Sequence, residues 1–181
     1  MSRQYFADNP YADPAVASQS AITATTETGL FPVAQFLPIP ASDARVGKIY
    51  YGEMGGIYST SASASTLTLT PRWGTSTGGV TLGASIAQTV PVSLSNEAWY
   101  LRFHVIMRTV NNGSATSSTA MLQGCFWGAG IAGTASTQCV VPFGGTSGTV
   151  DTTSAQGIWI GWTLSVAGSC TPQTCLFGSM T

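Results

Sequence analysis

From Arg45 onward, apolar and polar residues alternate with a period of two, the mark of strands that cover one face. The clearest run is Trp99 to Val110. Trp99, Leu101, Phe103, Val105 and Met107 fall on one side, and Tyr100, Arg102, His104, Ile106 and Arg108 on the other. The first side reads as core, the second as an amphipathic face suited to an interface. Val46–Tyr51 and Gly56–Ser59 read as two strands with a break at Gly52–Gly55. Ser65–Pro71 places Leu67, Leu69 and the following Trp73 opposite Thr66, Thr68 and Thr70, a face that β-branched residues favour. After a turn at Gly74–Gly79, the positions Val80, Leu82, Ala84, Ile86, Gln88, Val90 and Val92 share one parity, and Pro91 marks an edge or loop at its end.

Asn111-Asn112-Gly113 is a hairpin turn, since Asn and Gly tolerate positive φ. Thr119–Trp127 is the returning strand, Gln138–Phe143 a short one, and Gly128–Ser136 and Gly144–Thr149 are loops. Ile158, Ile160, Trp162, Leu164 and Val166 line one face of a further strand, and Thr174–Met180 closes the series. No helical periodicity is sustained. Many short strands with Gly-rich turns predict an all-β fold, a two-sheet antiparallel sandwich of jelly-roll type over residues 46–181.

Residues 1–45 read differently. Pro10, Pro14, Pro32, Pro38 and Pro40 punctuate them, each removing an amide donor and pushing its predecessor toward extended backbone. Between the prolines stand Tyr5, Phe6, Tyr11, Leu30, Phe31, Phe36, Leu37 and Ile39. A free disordered tail is more polar than this. The segment is expected to be an extended N-terminal arm whose large apolar groups contact a partner or a groove. The other reading is a strand-and-turn cap over one end of the domain.

Composition narrows the function. Charged residues are 7% of the chain, against about 25% in ordinary domains. So weakly charged a surface is expected to be covered by something else. Nucleic acid is excluded, because phosphate binding needs clustered Lys and Arg, and the one lysine, Lys48, stands among scattered arginines. No run of 18 apolar residues exists, so no membrane helix is expected. The first residues lack a signal peptide's apolar core, an expectation of synthesis in a host cytoplasm.

No catalytic set stands out. His104 is the sole histidine and lies mid-strand, while a serine or cysteine nucleophile needs a base beside it. Asp43, Glu53, Glu97 and Asp151 read as turn or strand-end carboxylates, not as a glycosidase pair. The glycine runs lack the lysine and the strand-to-helix context of a nucleotide loop. No acidic cluster suits calcium, and the cysteine spacing does not suit zinc. The chain is therefore expected to be neither an enzyme nor a metal or cofactor binder. Of Cys125, Cys139, Cys170 and Cys175, buried thiols are the default, and Cys170 with Cys175, flanking Thr-Pro-Gln-Thr, is the candidate disulfide. Trp159 has the opposite parity to Trp162, which puts it at a subunit interface or on a sugar-binding face. With Tyr100, Arg102, His104 and Arg108 it makes the candidate interface.

Ala44-Arg45-Val46-Gly47-Lys48-Ile49-Tyr50-Tyr51 is followed by Gly55-Gly56-Ile57-Tyr58-Ser59, by Leu67-Thr68-Leu69-Thr70-Pro71-Arg72-Trp73-Gly74, and by Leu82-Gly83. Trp99-Tyr100-Leu101-Arg102-Phe103 and the turn Asn112-Gly113 come next. This succession, over roughly residues 44–128, resembles jelly-roll virion structural proteins of tailed bacteriophages, of the head-decoration and minor structural kind. The resemblance implies a virion protein that binds the major capsid protein and a second and third copy of itself as a homotrimer, bridging capsid subunits as a cement. The arm and the four cysteines depart from that pattern. The runner-up reading is a carbohydrate- or receptor-binding module of a tail or head fibre.

Overall fold

A computed structural model describes residues 8–12, 21–31, 37–74, 76–129 and 138–180, with backbone alone at 8–12, 37–38, 129 and 138–141. The described strands are β1 (Asp8–Ala12), β2 (Thr28–Gly29), β3 (Leu37–Ile39), β4 (Ile49–Thr60), β5 (Ser65–Trp73), β6 (Val80–Thr81), β7 (Ile86–Val90), β8 (Glu97–Thr109), β9 (Ser118–Ala129), β10 (Gln138–Val150), β11 (Gln156–Leu164) and β12 (Gly168–Met180). They form two antiparallel sheets arranged as a sandwich, with jelly-roll-like topology. The larger sheet has the order β1-β12-β4-β8-β9-β10. In the smaller one β11 and β5 are central, β2 and β3 flank β11, and β6 and β7 flank β5. The chain changes sheets between β1 and β2, β3 and β4, β4 and β5, β7 and β8, β10 and β11, and β11 and β12.

The alternation read in the sequence builds the core. Trp99, Leu101, Phe103, Val105 and Met107 of β8 are buried, as are Leu67, Leu69 and Trp73 of β5 and Ile158, Ile160, Trp162 and Leu164 of β11. Trp162 lies at the centre, its ring against those of Tyr58, Trp99 and Phe126. The Trp99 and Trp162 indole N–H groups are buried without a conventional acceptor, and that of Trp99 is turned toward the soft Cys170 sulfur. At the other end of β4 and β8, beside Met107, Lys48, 5% exposed, donates to both carboxylate oxygens of Asp43 at 2.8 and 2.7 Å, and the Tyr50 hydroxyl donates to the same carboxylate at 3.1 Å.

Several elements differ from expectation, each for a cross-strand reason. The break at Gly52–Gly55 is absent, because β4 runs through it. Gly52 leaves the space that the Phe103 and Phe177 rings fill, so the glycine is a packing position and not a turn. Gly144–Thr149 is not a loop but the second half of β10. Gly144 and Gly145, at φ of 142° and 147°, let the strand press against the Leu122 carbonyl and the Gly83 turn. The run from Val80 to Val92 is two strands, broken where Gly83 takes a φ of 75°.

The described part of residues 1–45 does not project from the sandwich. β1 and the bridge at Ile22 lie along β12, and β2 and β3 along β11, so the segment laces the open side where both sheets end. Open strand edges invite unwanted pairing, and this covering removes one. Leu30, Phe31 and Ile39, expected as partner contacts, are each 2% exposed in the chain's own core. Such burial contributes roughly 1.5–3 kcal/mol per side chain, which explains why they fold inward. Tyr5, Phe6 and Phe36 lie outside the described residues, and Tyr11 and Leu37 are described as strand backbone.

Candidate contact face and groove

The outward side chains of β4, β8 and β9 form one face, and register sets who neighbours whom. Glu53 stands opposite Arg102 and Arg102 opposite Cys125. Tyr51 stands opposite His104 and His104 opposite Gln123, and Tyr100 opposite Trp127. Arg102 Nε lies 3.1 Å from Glu53 Oε1 in an ion pair. The Tyr100 hydroxyl bonds the same carboxylate. Its pKa is pushed up to about 12, first by burial and then by Glu53. The Tyr100 and Trp127 rings lie 5.3 Å apart between centroids, tilted by 47°, and the Tyr51 ring lies 6.4 Å from that of His104. Burial, followed by the Arg102 charge, holds the His104 imidazole below its ordinary range, with Glu53 opposing weakly.

A groove of about 550 Å³ opens on this face, lined by Arg102, His104, Gln123, Cys125, Trp127 and Pro142, with Phe143 and the Gly124 backbone at its wall. Cys125 and His104 share it as diagonal neighbours, a relation that spans about 7–8 Å, and no hydrogen bond joins them. The fourth outward row has another character. Met180, Ile49, Ile106 and Met121 are successive cross-strand partners over β12, β4, β8 and β9. Met180 is 40% exposed and the other three are partly exposed. Val46, 69% exposed, stands in the turn before β4 at the same end. Arg108 borders the row, its guanidinium on the Met121 sulfur at 3.5 Å.

Of the expected interface residues, Tyr100, Arg102, His104 and Arg108 share this face. Trp159 does not. It is 5% exposed on the other sheet, beneath Gly29, with the Glu27 carboxylate over the neighbouring Gly161. Arg72 fastens that cover by donating to Glu27 at 2.9 and 2.8 Å. Parity places Trp159 outside its sheet correctly, but the segment around β2 then buries it. The Cys170–Cys175 disulfide is also corrected. Thr-Pro-Gln-Thr is not a loop but part of β12, with a bulge between Pro172 and Thr174. Five strand residues at about 3.3 Å each separate the two α-carbons by roughly 15 Å, against the ~4.4–6.8 Å that a disulfide spans. Cys170 instead pairs its backbone with Ile22, and burial pushes its thiol pKa far up. Among the described residues, no three His, Cys, Asp or Glu side chains converge as metal ligands would.

The sequence alone does not bring Glu53, Gln123, Cys125 and Trp127 to this site. Register alone joins them to β8, and the outward parity of β9 against β8 was the signal available.

No family model matches this chain, and no curated protein matches it. Among solved structures, the CBM2 module of the evolved Dit of Lactobacillus casei BL23 phage J-1 is similar at 10% identity over 76% of this chain and 67% of that one, with a TM-score of 0.21. Similarity at this level sets neither fold nor role.

Proposed function

We propose that this chain is a non-enzymatic capsid-decoration (cement) protein of a virion, which binds the outer capsid surface as a homotrimer and bridges major capsid protein subunits. The observation that carries the reading is the apolar row Met180–Ile49–Ile106–Met121. It crosses four strands in register on the outside of the larger sheet. Partly exposed apolar side chains gathered in one row mark a protein contact. The rest of the surface supports it. The chain has six Lys and Arg, and Lys48, Arg72 and Arg102 are spent in intrachain ion pairs. Few charges then need desolvation when neighbours close around the protein, a cost that otherwise weakens a contact. Repetition of a modest contact over a symmetric shell supplies avidity.

Co-sedimentation with shells assembled from the major capsid protein of the same virus tests this. The wild type sediments with the shells, and Met121→Glu and Ile106→Lys stay in the supernatant while keeping the wild-type fold by circular dichroism. A wild type that never sediments with shells, or charged variants that bind equally well, would overturn the proposal.

A further inference from the structure

We infer that the groove lined by Arg102, His104, Gln123 and Trp127 is a binding site for a neutral saccharide. It begins one cross-strand row beyond the apolar row and shares no residue with it, so the inference does not rest on the capsid contact.

A pyranose presents an apolar face of C–H bonds and a rim of hydroxyls that each donate and accept. A site for it needs an aromatic surface beside polar groups of both senses. The groove has both. Trp127 lines it, and Tyr100, 37% exposed and beside the groove, forms a tilted pair with Trp127, centroids 5.3 Å apart. Tyrosine and tryptophan offer a large apolar area at small entropic cost. Along the same strands Arg102 supplies donors and the exposed Gln123 both senses, and Glu53 on the adjacent β4 adds acceptors beside the groove. His104, kept below its usual range, is neutral at pH 7 and adds one donor and one acceptor.

Charge and position select the ligand class. Arg102 is already neutralised by Glu53 at 3.1 Å. An anion on the remaining Arg102 N–H groups would stand beside the Glu53 carboxylate and be repelled by it, whereas neutral hydroxyls bond both partners. An added peptide strand needs an open sheet edge. The groove lies over the face of β8 and β9 and reaches the edge strand β10 at Phe143 and at Pro142, which has no amide to donate. Its volume of about 550 Å³ is that of an ordinary small-ligand site, roughly 300–1,000 Å³.

The test is a screen of the full chain against neutral oligosaccharides of glucose, galactose, mannose, N-acetylglucosamine and N-acetylgalactosamine, with phosphorylated and carboxylated glycans alongside. Calorimetry then follows on the best binder. The expected result is binding of at least one neutral oligosaccharide, weakened roughly tenfold or more by Trp127→Ala and by Tyr100→Ala. The bound sugar also slows alkylation of Cys125, read at peptide level by mass spectrometry. Met121→Glu, which breaks the proposed capsid contact, binds sugar like the wild type, so the two readings fail separately. If Trp127→Ala does not fold, the exposed Gln123→Ala decides by the same loss. A screen silent for neutral glycans, binding confined to the anionic ones, or variants that bind as the wild type does would each overturn the inference.

Discussion

Asp43→Asn removes the charge that compensates a lysine in the core. Lys48 is 5% exposed, Asp43 is 31% exposed, and the two meet at 2.7 Å. The Tyr50 hydroxyl also donates to Asp43, and the Lys48 ammonium lies 5.5 Å from the Tyr50 ring centroid. Breaking a fully buried pair costs about 3–5 kcal/mol, and an exposed pair about 0–1 kcal/mol. With one partner buried and the other in partial contact with water, Asp43→Asn costs about 2–3 kcal/mol. Lys48→Met costs less, about 1 kcal/mol, because it takes the buried charge away and leaves an aspartate that water can solvate. The double variant then costs less than the sum of the two, a coupling of about 1–2 kcal/mol. Urea unfolding followed by the fluorescence of the five tryptophans reads all three midpoints. If Asp43→Asn unfolds with the wild type, or if Lys48→Met is the more damaging change, the reasoning from asymmetric burial is wrong.

Three further outcomes are expected. Gly144→Ala drives a Cβ into the Leu122 carbonyl at a positive φ and costs at least about 3 kcal/mol, whereas Gly47→Ala, at φ 84° with open space around it, costs about 1 kcal/mol; thermal melts of both variants give the comparison. The Asp151 carboxyl is held down to about 2, from 3.8, by the Ser154 and Thr153 hydroxyls and the Thr153 amide. Its folded pKa lies below the unfolded one, so its stabilisation is present above about pH 4 and is lost as pH falls through 2. Carbon NMR titration places the midpoint near 2, and moves it up toward 3.8 without reaching it once Ser154 and Thr153 are both alanine, since the Thr153 amide still donates. Peptide mapping of the native protein under non-reducing conditions finds no Cys170–Cys175 link, and Cys170 resists alkylation until the protein unfolds.

What the sequence reveals and what it hides divide along physical lines. The alternation of Trp99 to Met107 is legible because one face of β8 is core and the other is not, and side-chain period alone reports that. Gly52 misleads because its small size serves the Phe103 and Phe177 rings, which come from other strands. Gly144 and Gly145 read as a loop for the same reason, since their partner is the Leu122 backbone. Trp159 shows the limit of parity, which gives the side of a strand and not what covers it. Leu30, Phe31 and Ile39 carry the size and apolarity of contact residues, and nothing local distinguishes a groove on a partner from the side of their own sandwich. For the candidate site, Tyr100, Arg102 and His104 follow from one strand's parity. Glu53, Gln123 and Trp127, and the row from Met180 to Met121, need the register of four strands, which no single strand encodes.

The central claim is that this sandwich serves by contact with a capsid. Electron cryomicroscopy of the native particle tests it most directly. The account predicts the chain as trimers on the outside of the shell, with Met180, Ile49, Ile106 and Met121 against the major capsid protein. A particle whose shell lacks the chain, or one in which that row faces solvent, would contradict it.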